Sequence, residues 1–268
     1  MGDFDFKVIN AEEEIQHIVD EIKKYFVKNG NENTKAVIGI SGGKDSTIAA
    51  ALLVRALGAN RVVGVLMPDG AQKDIADSRE VCNLLGIQFK EIDIGPITHM
   101  FAAQFGHAYS KPVVATNTPP RIRMAMLYAV AADIGGRVIN TGNASELYIG
   151  YTTKYGDLAG DFAIFKDYFV REILEIGDNL DELPAYLVHK APGDGLTGKT
   201  DEEQTGIPYD VLDAYLLDGV VPEYNVLRNI CERYDRNAHK RAVSLPYIRV
   251  KTRRWHENSN KENDPWTF

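Results

Sequence analysis

Ala36-Val37-Ile38-Gly39-Ile40-Ser41-Gly42-Gly43-Lys44-Asp45-Ser46 is an apolar run that breaks into a glycine turn and then opens a helical pattern. Ala36 to Ile40 is too short for a helix and has no polar alternation, as expected of a strand in a parallel sheet covered on both faces. Asp45, Ser46 and Thr47 suit a helix N-terminus, and Ile48, Leu52, Leu53, Ala56 and Leu57 carry the helix to Gly58. Strand, Gly-Gly turn and helix start together present backbone N–H groups and a positive dipole end to an anion.

Spacing excludes two familiar phosphate loops. A Walker loop requires Ser or Thr directly after Gly-Lys, and here Gly43-Lys44 is followed by Asp45. A dinucleotide fingerprint requires Gly-x-Gly-x-x-Gly, and Gly39, Gly42 and Gly43 have other intervals. The residue types still fit phosphate binding. Ser41 and Ser46 can donate hydroxyl hydrogen bonds, the glycines let backbone approach oxygen, and Asp45 can hold a Mg²⁺ that screens the charge.

The bulk properties are those of an ordinary globular chain. A length of 268 residues fits one α/β domain with additions, and 44% hydrophobic with 25% charged residues is enough to build a core. The expected division is one domain over 1–250 and a polar tail over 251–268, loosest from Glu257 to Asp264. No run approaches the length of a membrane helix, and Met1-Gly2-Asp3-Phe4-Asp5 lacks a signal-peptide start, which predicts a cytoplasmic protein. A net charge of -8 argues against nonspecific nucleic-acid binding. Cys82 and Cys231 each sit in a helical pattern, with no Cys-x-x-Cys pair, and both read as core-side.

Outward from the organising loop, Ile15, Ile18, Val19, Ile22, Tyr25 and Phe26 fall on one face of an N-terminal helix. Arg61 to Met67 reads as a second parallel strand, Lys73 to Leu85 as a helix and Gln88 to Ile94 as a third strand. This βαβ spacing predicts a doubly wound parallel sheet with flanking helices and a ligand site at the carboxyl ends of its strands. Pro119-Pro120 is expected to open a helix over Arg121 to Ile134. Arg121 and Arg123 in its first turn would oppose the dipole, so an anion is expected to hold them. Val138-Ile139-Asn140 reads as a fourth strand leading into Thr141 and Glu146.

Beyond it, Tyr148 to Asp161 mixes glycine, aromatic, hydroxyl and charged residues without apolar periodicity, the pattern of a functional loop. Helices are expected over Lys166 to Ile176, Pro184 to His189, Pro208 to Leu217 and Pro222 to Tyr234. The polar stretch that follows Ala191-Pro192-Gly193-Asp194-Gly195 and runs to Thr205, with Gly198 and Lys199, reads as a mobile lid.

The Ser41-Gly42-Gly43-x-Asp45-Ser46 hexapeptide resembles the pyrophosphate loop of the N-type ATP pyrophosphatases. Thr141-Gly142-Asn143-x-Ser145-Glu146, Tyr151-Thr152-Thr153-Lys154-Tyr155-Gly156-Asp157, Thr200-Asp201-Glu202-Glu203 with Gly206-Ile207-x-Tyr209, and His239-Lys240-Arg241 follow in order. Together they resemble the signatures of ammonia-dependent NAD synthetase over residues 10–245. That resemblance implies the adenine nucleotide alpha hydrolase-like fold and an ATP-dependent amidation of nicotinic acid adenine dinucleotide (deamido-NAD) by ammonia through an acyl-adenylate.

It implies that Gly39, Ile40, Ser41, Gly42, Gly43, Lys44, Asp45, Ser46 and Thr141 hold ATP, and that Asp45 and Glu146 hold Mg²⁺. Arg121, Lys154, Asp161, His239 and Lys240 would contact deamido-NAD, with Asp45, Lys154 and Asp157 as the catalytic group. A homodimer is implied, with the Ile15–Phe26 and Arg121–Ile134 helices apolar enough to contribute. No spare length or suitably placed cysteine serves a glutamine amidase, so free ammonia or a separate subunit is the expected nitrogen source. The chain departs from the family pattern at Val170, where a lysine is usual, at Gly193, and in Leu158-Ala159 of the Gly156–Asp161 loop. Arg171 and Lys166 are expected to supply the charge missing at Val170. Two other readings keep the loop but change the outcome: an amidoligase acting on another carboxylate, or a nucleotide-binding regulatory protein without catalysis.

Overall fold

The structure is a computed structural model and describes residues 9–70, 75–105, 111–190, 200–242 and 244–253. Its centre is a five-stranded parallel sheet in the order β3-β2-β1-β4-β5. The strands are β1 (Lys35–Gly39), β2 (Val62–Leu66), β3 (Gln88–Glu91), β4 (Gly136–Asn140) and β5 (Phe162–Ala163). On β1, Ala36 stands opposite Val62 of β2 and Arg137 of β4. The chain winds outward from β1 to β3 on one side and then crosses to β4 and β5 on the other. The direction of winding therefore reverses between β1 and β4, where a crevice opens at the carboxyl ends of the strands.

Alternation on the strands splits the core in two. Ala36, Ile38, Val62, Leu66 and Ile139 face one layer, built with α1 (Ala11–Lys28), α2 (Lys44–Leu57), α3 (Ile75–Leu84), α7 (Val170–Asp178) and α8 (Ala185–Val188). Val37, Val65 and Val138 face the other, where Met124, Leu127, Val130 and Ala131 of α5 (Pro112–Ile134) lie. Ile15, Ile18, Val19, Ile22 and Phe26 of α1 are all buried in the first layer, so this apolar face is used inside the protomer and not for a dimer. A third cluster joins α6 (Ala144–Ile149), α10 (Tyr209–Asp218) and α11 (Tyr224–Arg236) over the end of the crevice through Ile149, Tyr209, Leu212 and Ile230.

Several elements differ from the sequence expectation. α5 begins at Pro112, and Pro119 and Pro120 lie inside it. The two prolines remove N–H groups that would have reached back along the helix, but the flanking residues stay helical. Arg121 and Arg123 therefore sit in mid-helix, beyond the reach of the terminal dipole, and the dipole argument for an anion does not apply to them.

The helix expected from Lys166 begins only at Val170, because Phe165, Tyr168 and Phe169 are buried as anchors and the Glu172 carboxylate accepts the Phe169 N–H at 3.0 Å. β5 pairs only two residues with β4, too short to show as an apolar run. A short α4 (Gly95–Gln104) follows β3. Cys82 is buried as expected, but Cys231 is exposed: α11 turns Ile230 inward, and the next residue points about 100° away. The polar stretch proposed as a lid divides. Its part up to Lys199 lies outside the described residues, as does Gly193, while Thr200 caps α9 (Asp201–Thr205) in a reciprocal bond with Glu203. The tail after 253 is likewise outside them. No helix among the described residues is long and apolar enough to cross a membrane.

Candidate active site

A cavity of ≈ 710 Å³ opens at the crevice between β1 and β4, lined by Gly39, Ile40, Ser41, Gly43, Lys44, Asp45 and Ser46 of the glycine loop. The loop is held in shape by its own hydroxyls. Gly43 N–H donates to Ser41 Oγ at 3.2 Å, Ser41 N–H donates to Ser46 Oγ at 3.3 Å, and Ser46 Oγ donates to Gly43 O at 3.1 Å. Gly42 at φ 77° makes the turn that lets α2 start on Lys44. A pre-formed anion cradle at a helix N-terminus results.

Charge concentrates at its inner end. Lys44 is 3% exposed, and its ammonium donates to Asp45 Oδ2 at 2.8 Å. Burial alone would lower the Lys44 pKa, but Asp45, Glu146 and Asp201 outweigh it and raise it above the ordinary lysine value. Glu146 is raised well above the carboxylate range, by its enclosure in protein and by the charge of Asp45, with Asp201 adding to the effect and Lys44 opposing it. Its Oε2 accepts the Asn143 N–H at 3.2 Å in the capping box of α6, which fixes the helix that presents it.

Asp45 Oδ1 is buried without a hydrogen-bond partner. This oxygen and the Glu146 carboxylate fit Mg²⁺, a hard cation that takes one or two protein carboxylates and fills its remaining positions with water and substrate phosphates. No cluster of three metal-ligating side chains occurs among the described residues.

Thr141 lines the same cavity at the end of β4. Beside it Asn140 ties down the following loop, donating through Nδ2 to Asp157 O at 2.6 Å and Ala159 O at 2.9 Å and accepting from Gly142 N–H at 3.1 Å. Asp157 is exposed where it opens onto the cavity, but the protein atoms crowded around it reduce its solvation and raise its pKa, opposed by the Thr153 N–H, which donates to Oδ1 at 2.7 Å, and by Lys240. Lys240 also lines the cavity, and its Nζ donates to Gly150 O and Thr152 O at 2.6 Å each.

The other expected acceptor residues divide into two groups. Arg121, Lys154 and His239 meet near the cavity: Arg121 Nε donates to Lys154 O at 3.2 Å, and Lys154 Nζ donates to His239 O at 3.2 Å. Asp161 lies elsewhere. Its Oδ2 accepts the Val138 N–H at 2.8 Å and its carbonyl accepts Tyr25 Oη at 3.0 Å, so its polar groups hold β4 and α1 together.

Neither cation expected to replace a lysine at Val170 reaches the lining of this cavity, although Arg171 lines a second, smaller one beside Val170. Arg171 is bound to Asp218 through two bonds of 2.6 and 2.9 Å, and Lys166 lies 5.2 Å over the Tyr247 ring. Asn117, Arg123, Lys190 and Arg233 are lining residues that the sequence reading missed or misread. Arg123 was singled out for the wrong reason, and its Nε donates to Met67 O at 3.0 Å at the end of β2. Only the fold brings these four together, and no local spacing signals them. Asp201 did carry a signal, since it stands in the Thr-Asp-Glu-Glu capping pattern, but nothing in that pattern shows that it faces the loop. A second cavity of ≈ 350 Å³ shares Lys44 and Lys190 with the first and is lined by Val170, Tyr209 and Asp213 among others.

The NAD synthase family matches residues 14–244. An NH(3)-dependent NAD(+) synthetase from Archaeoglobus fulgidus is 35% identical over 250 residues, covering 91% of this chain and 99% of the relative. One from Pyrococcus furiosus is 34% identical over 251 residues, 88% of this chain and 95% of the relative. Among solved structures, an NMN synthetase from Francisella tularensis superposes with a TM-score of 0.81 at 33% identity, over 89% of this chain and 98% of that one. The NH3-dependent NAD synthetase from Campylobacter jejuni superposes at 0.71 with 28% identity, over 88% and 98%. A glycine loop at a strand switch point, a carboxylate pair beside it and these similarities agree, and the chain belongs to the NAD synthase family.

Proposed function

We propose that this chain amidates deamido-NAD with ammonia, consuming ATP and releasing NAD, AMP and pyrophosphate. The observation that carries the reading is the charged centre of Lys44, Asp45 and Glu146 at the end of a pre-formed anion loop. Two anions have to meet there. The acceptor carboxylate attacks the α-phosphate of ATP, pyrophosphate leaves, ammonia attacks the acyl carbon, and AMP departs with the carboxylate oxygen. When bound, Mg²⁺ between Asp45 and Glu146 would offset the phosphate charge that opposes the first attack.

The chain's own groups do the rest. Ser41, Ser46 and the N–H groups of the turn hold phosphate oxygens, and Thr141 faces ATP from the other wall. Arg121, Lys154, His239 and Lys240 orient the acceptor. Asp157, with its raised pKa, takes the proton that the attacking nitrogen must lose. Neither the amidation of an unrelated carboxylate nor a purely regulatory role has an observation in its favour.

A homodimer is part of this proposal, but through α4 and the start of α5. Met100, Phe101, Phe105 and Val113 are exposed there, 49–61% each, while α1 has no apolar face left to offer. The reaction draws on ATP and dinucleotides, so we place the protein in the cytoplasm.

One observation favours a second reading of the acceptor. The Francisella tularensis NMN synthetase superposes better than the Campylobacter jejuni NAD synthetase, 0.81 against 0.71. The same chemistry on a mononucleotide would leave out the adenylate half of the acceptor. A mass-spectrometric assay of the purified protein with ATP, Mg²⁺ and ammonium, offering nicotinic acid mononucleotide and deamido-NAD separately, decides between them. The expected result is NAD, AMP and pyrophosphate in equal amounts, lowered about a hundredfold or more by Asp45→Ala. Turnover confined to the mononucleotide would move the chain to the second reading.

A further inference from the structure

Lys44 stands in an unfavourable place for a lysine. It is the first residue of α2, where a cation opposes the helix dipole, and it is 3% exposed. A buried ammonium survives only against specific anions. Asp45 Oδ2 at 2.8 Å is one, and Glu146 and Asp201 add to the attraction. Lys44 lines both cavities.

Arg171 of α7 lines the second cavity beside Lys44 but is bound to Asp218 and not to this carboxylate pair. Asp45 divides its carboxylate unequally, with Oδ2 on the lysine and the buried Oδ1 without a partner. A divalent ion held by Asp45 and Glu146 would lie close to a positive charge already bound to one of its ligands, and that repulsion is strong in a partly desolvated site.

We infer that Lys44 is the resident counter-ion of Asp45: it neutralises that carboxylate before the metal arrives, competes with the metal for it, and turns from Asp45 towards the phosphates once displaced. The inference rests on the reading that Asp45 and Glu146 are the metal ligands, and not on which acceptor is amidated. It makes the glycine loop both the phosphate cradle and the gate for the divalent ion.

Mn²⁺ binding to the protein without nucleotide, followed by electron paramagnetic resonance of the free ion, tests it apart from catalysis. Lys44→Gln is expected to tighten Mn²⁺ binding at least about tenfold, since one opposing charge a few ångströms away is gone. Lys44→Arg, whose fork can take both Asp45 oxygens, is expected to weaken it relative to wild type. Asp45→Asn should abolish binding in either background. Unchanged or weaker Mn²⁺ binding in a Lys44→Gln protein with native circular dichroism overturns the inference. Should that variant not fold, wild-type affinity in Lys44→Arg overturns it instead. Absence of Mn²⁺ binding in wild type and Lys44→Gln alike, even with ATP added, would remove the metal assignment itself. Failure to amidate deamido-NAD would leave the Mn²⁺ result standing.

Discussion

Ser145, one residue before Glu146, donates its hydroxyl to Asp213 Oδ1 at 2.6 Å and accepts the Val170 N–H at 3.0 Å. The other Asp213 oxygen accepts the Arg171 N–H at 2.9 Å. These bonds fix the start of α6, and with it the direction of Glu146, against α7 and α10. Burial pushes the Asp213 carboxyl from 3.8 up to about 6. The folded state then binds the proton more tightly than the unfolded chain, so stability is highest below the unfolded value and falls as pH rises through about 6. The full shift amounts to about 3 kcal/mol by neutral pH. Asp213→Asn is expected to flatten the dependence of Tm on pH between about 4 and 7; thermal melts across that range check it, and an unchanged slope would contradict it. At this scale the sequence was readable where residues with one task sit side by side, as in Ser41 to Ser46 or Thr141 to Glu146. Asn117, Lys190 and Arg233 were not readable, because separate helices carry them to the cavity.

Among the elements, strands were the easiest to read. β1 and β2 are buried on both faces and show as continuous apolar runs, whereas β5 is two residues long and leaves no such trace. α5 misled because a Pro-Pro pair usually opens a helix, and here the preceding turns hold it inside one. The short α12 (Ala238–Arg241) shows how an element reaches the site. Gly150 ends α6 at φ 68°, and a Cβ there would lie 2.2 Å from Asn237 Cβ, at the start of α12. Lys240 from α12 then caps the Gly150 and Thr152 carbonyls. Gly150→Ala should therefore cost about 2 kcal/mol in stability and displace α12. Steady-state kinetics should show a raised KM for the acceptor with the KM for ATP little changed, and equal effects on both would contradict this placement.

For the whole molecule, the two ends of the described chain meet at one buried carboxylate. Glu14 of α1 accepts Tyr168 Oη at 2.6 Å, Thr252 Oγ1 at 2.6 Å and Thr252 N–H at 2.8 Å, and also the Lys251 N–H. Burial would raise its pKa, but these donors more than compensate and leave it below the ordinary value of 4.5. Its stabilisation is thus complete above the unfolded value and is lost as pH falls through the lowered one. Glu14→Gln replaces an acceptor with an amide facing donors, and should cost about 3 kcal/mol, read as a lowered midpoint in urea. A midpoint within error of wild type would contradict it. Sequence periodicity placed α1 in the core but gave no hint of this clasp, since its partners stand 154 to 238 residues away.

The central claim is that the cavity joins an acceptor carboxylate to the α-phosphate of ATP before nitrogen arrives. Deamido-NAD labelled with ¹⁸O in its nicotinate carboxylate, turned over with ATP and ammonium, tests this most directly. The account predicts one ¹⁸O in each AMP formed and none in pyrophosphate. Label in a phosphate other than AMP, or NAD formed with unlabelled AMP, would contradict it.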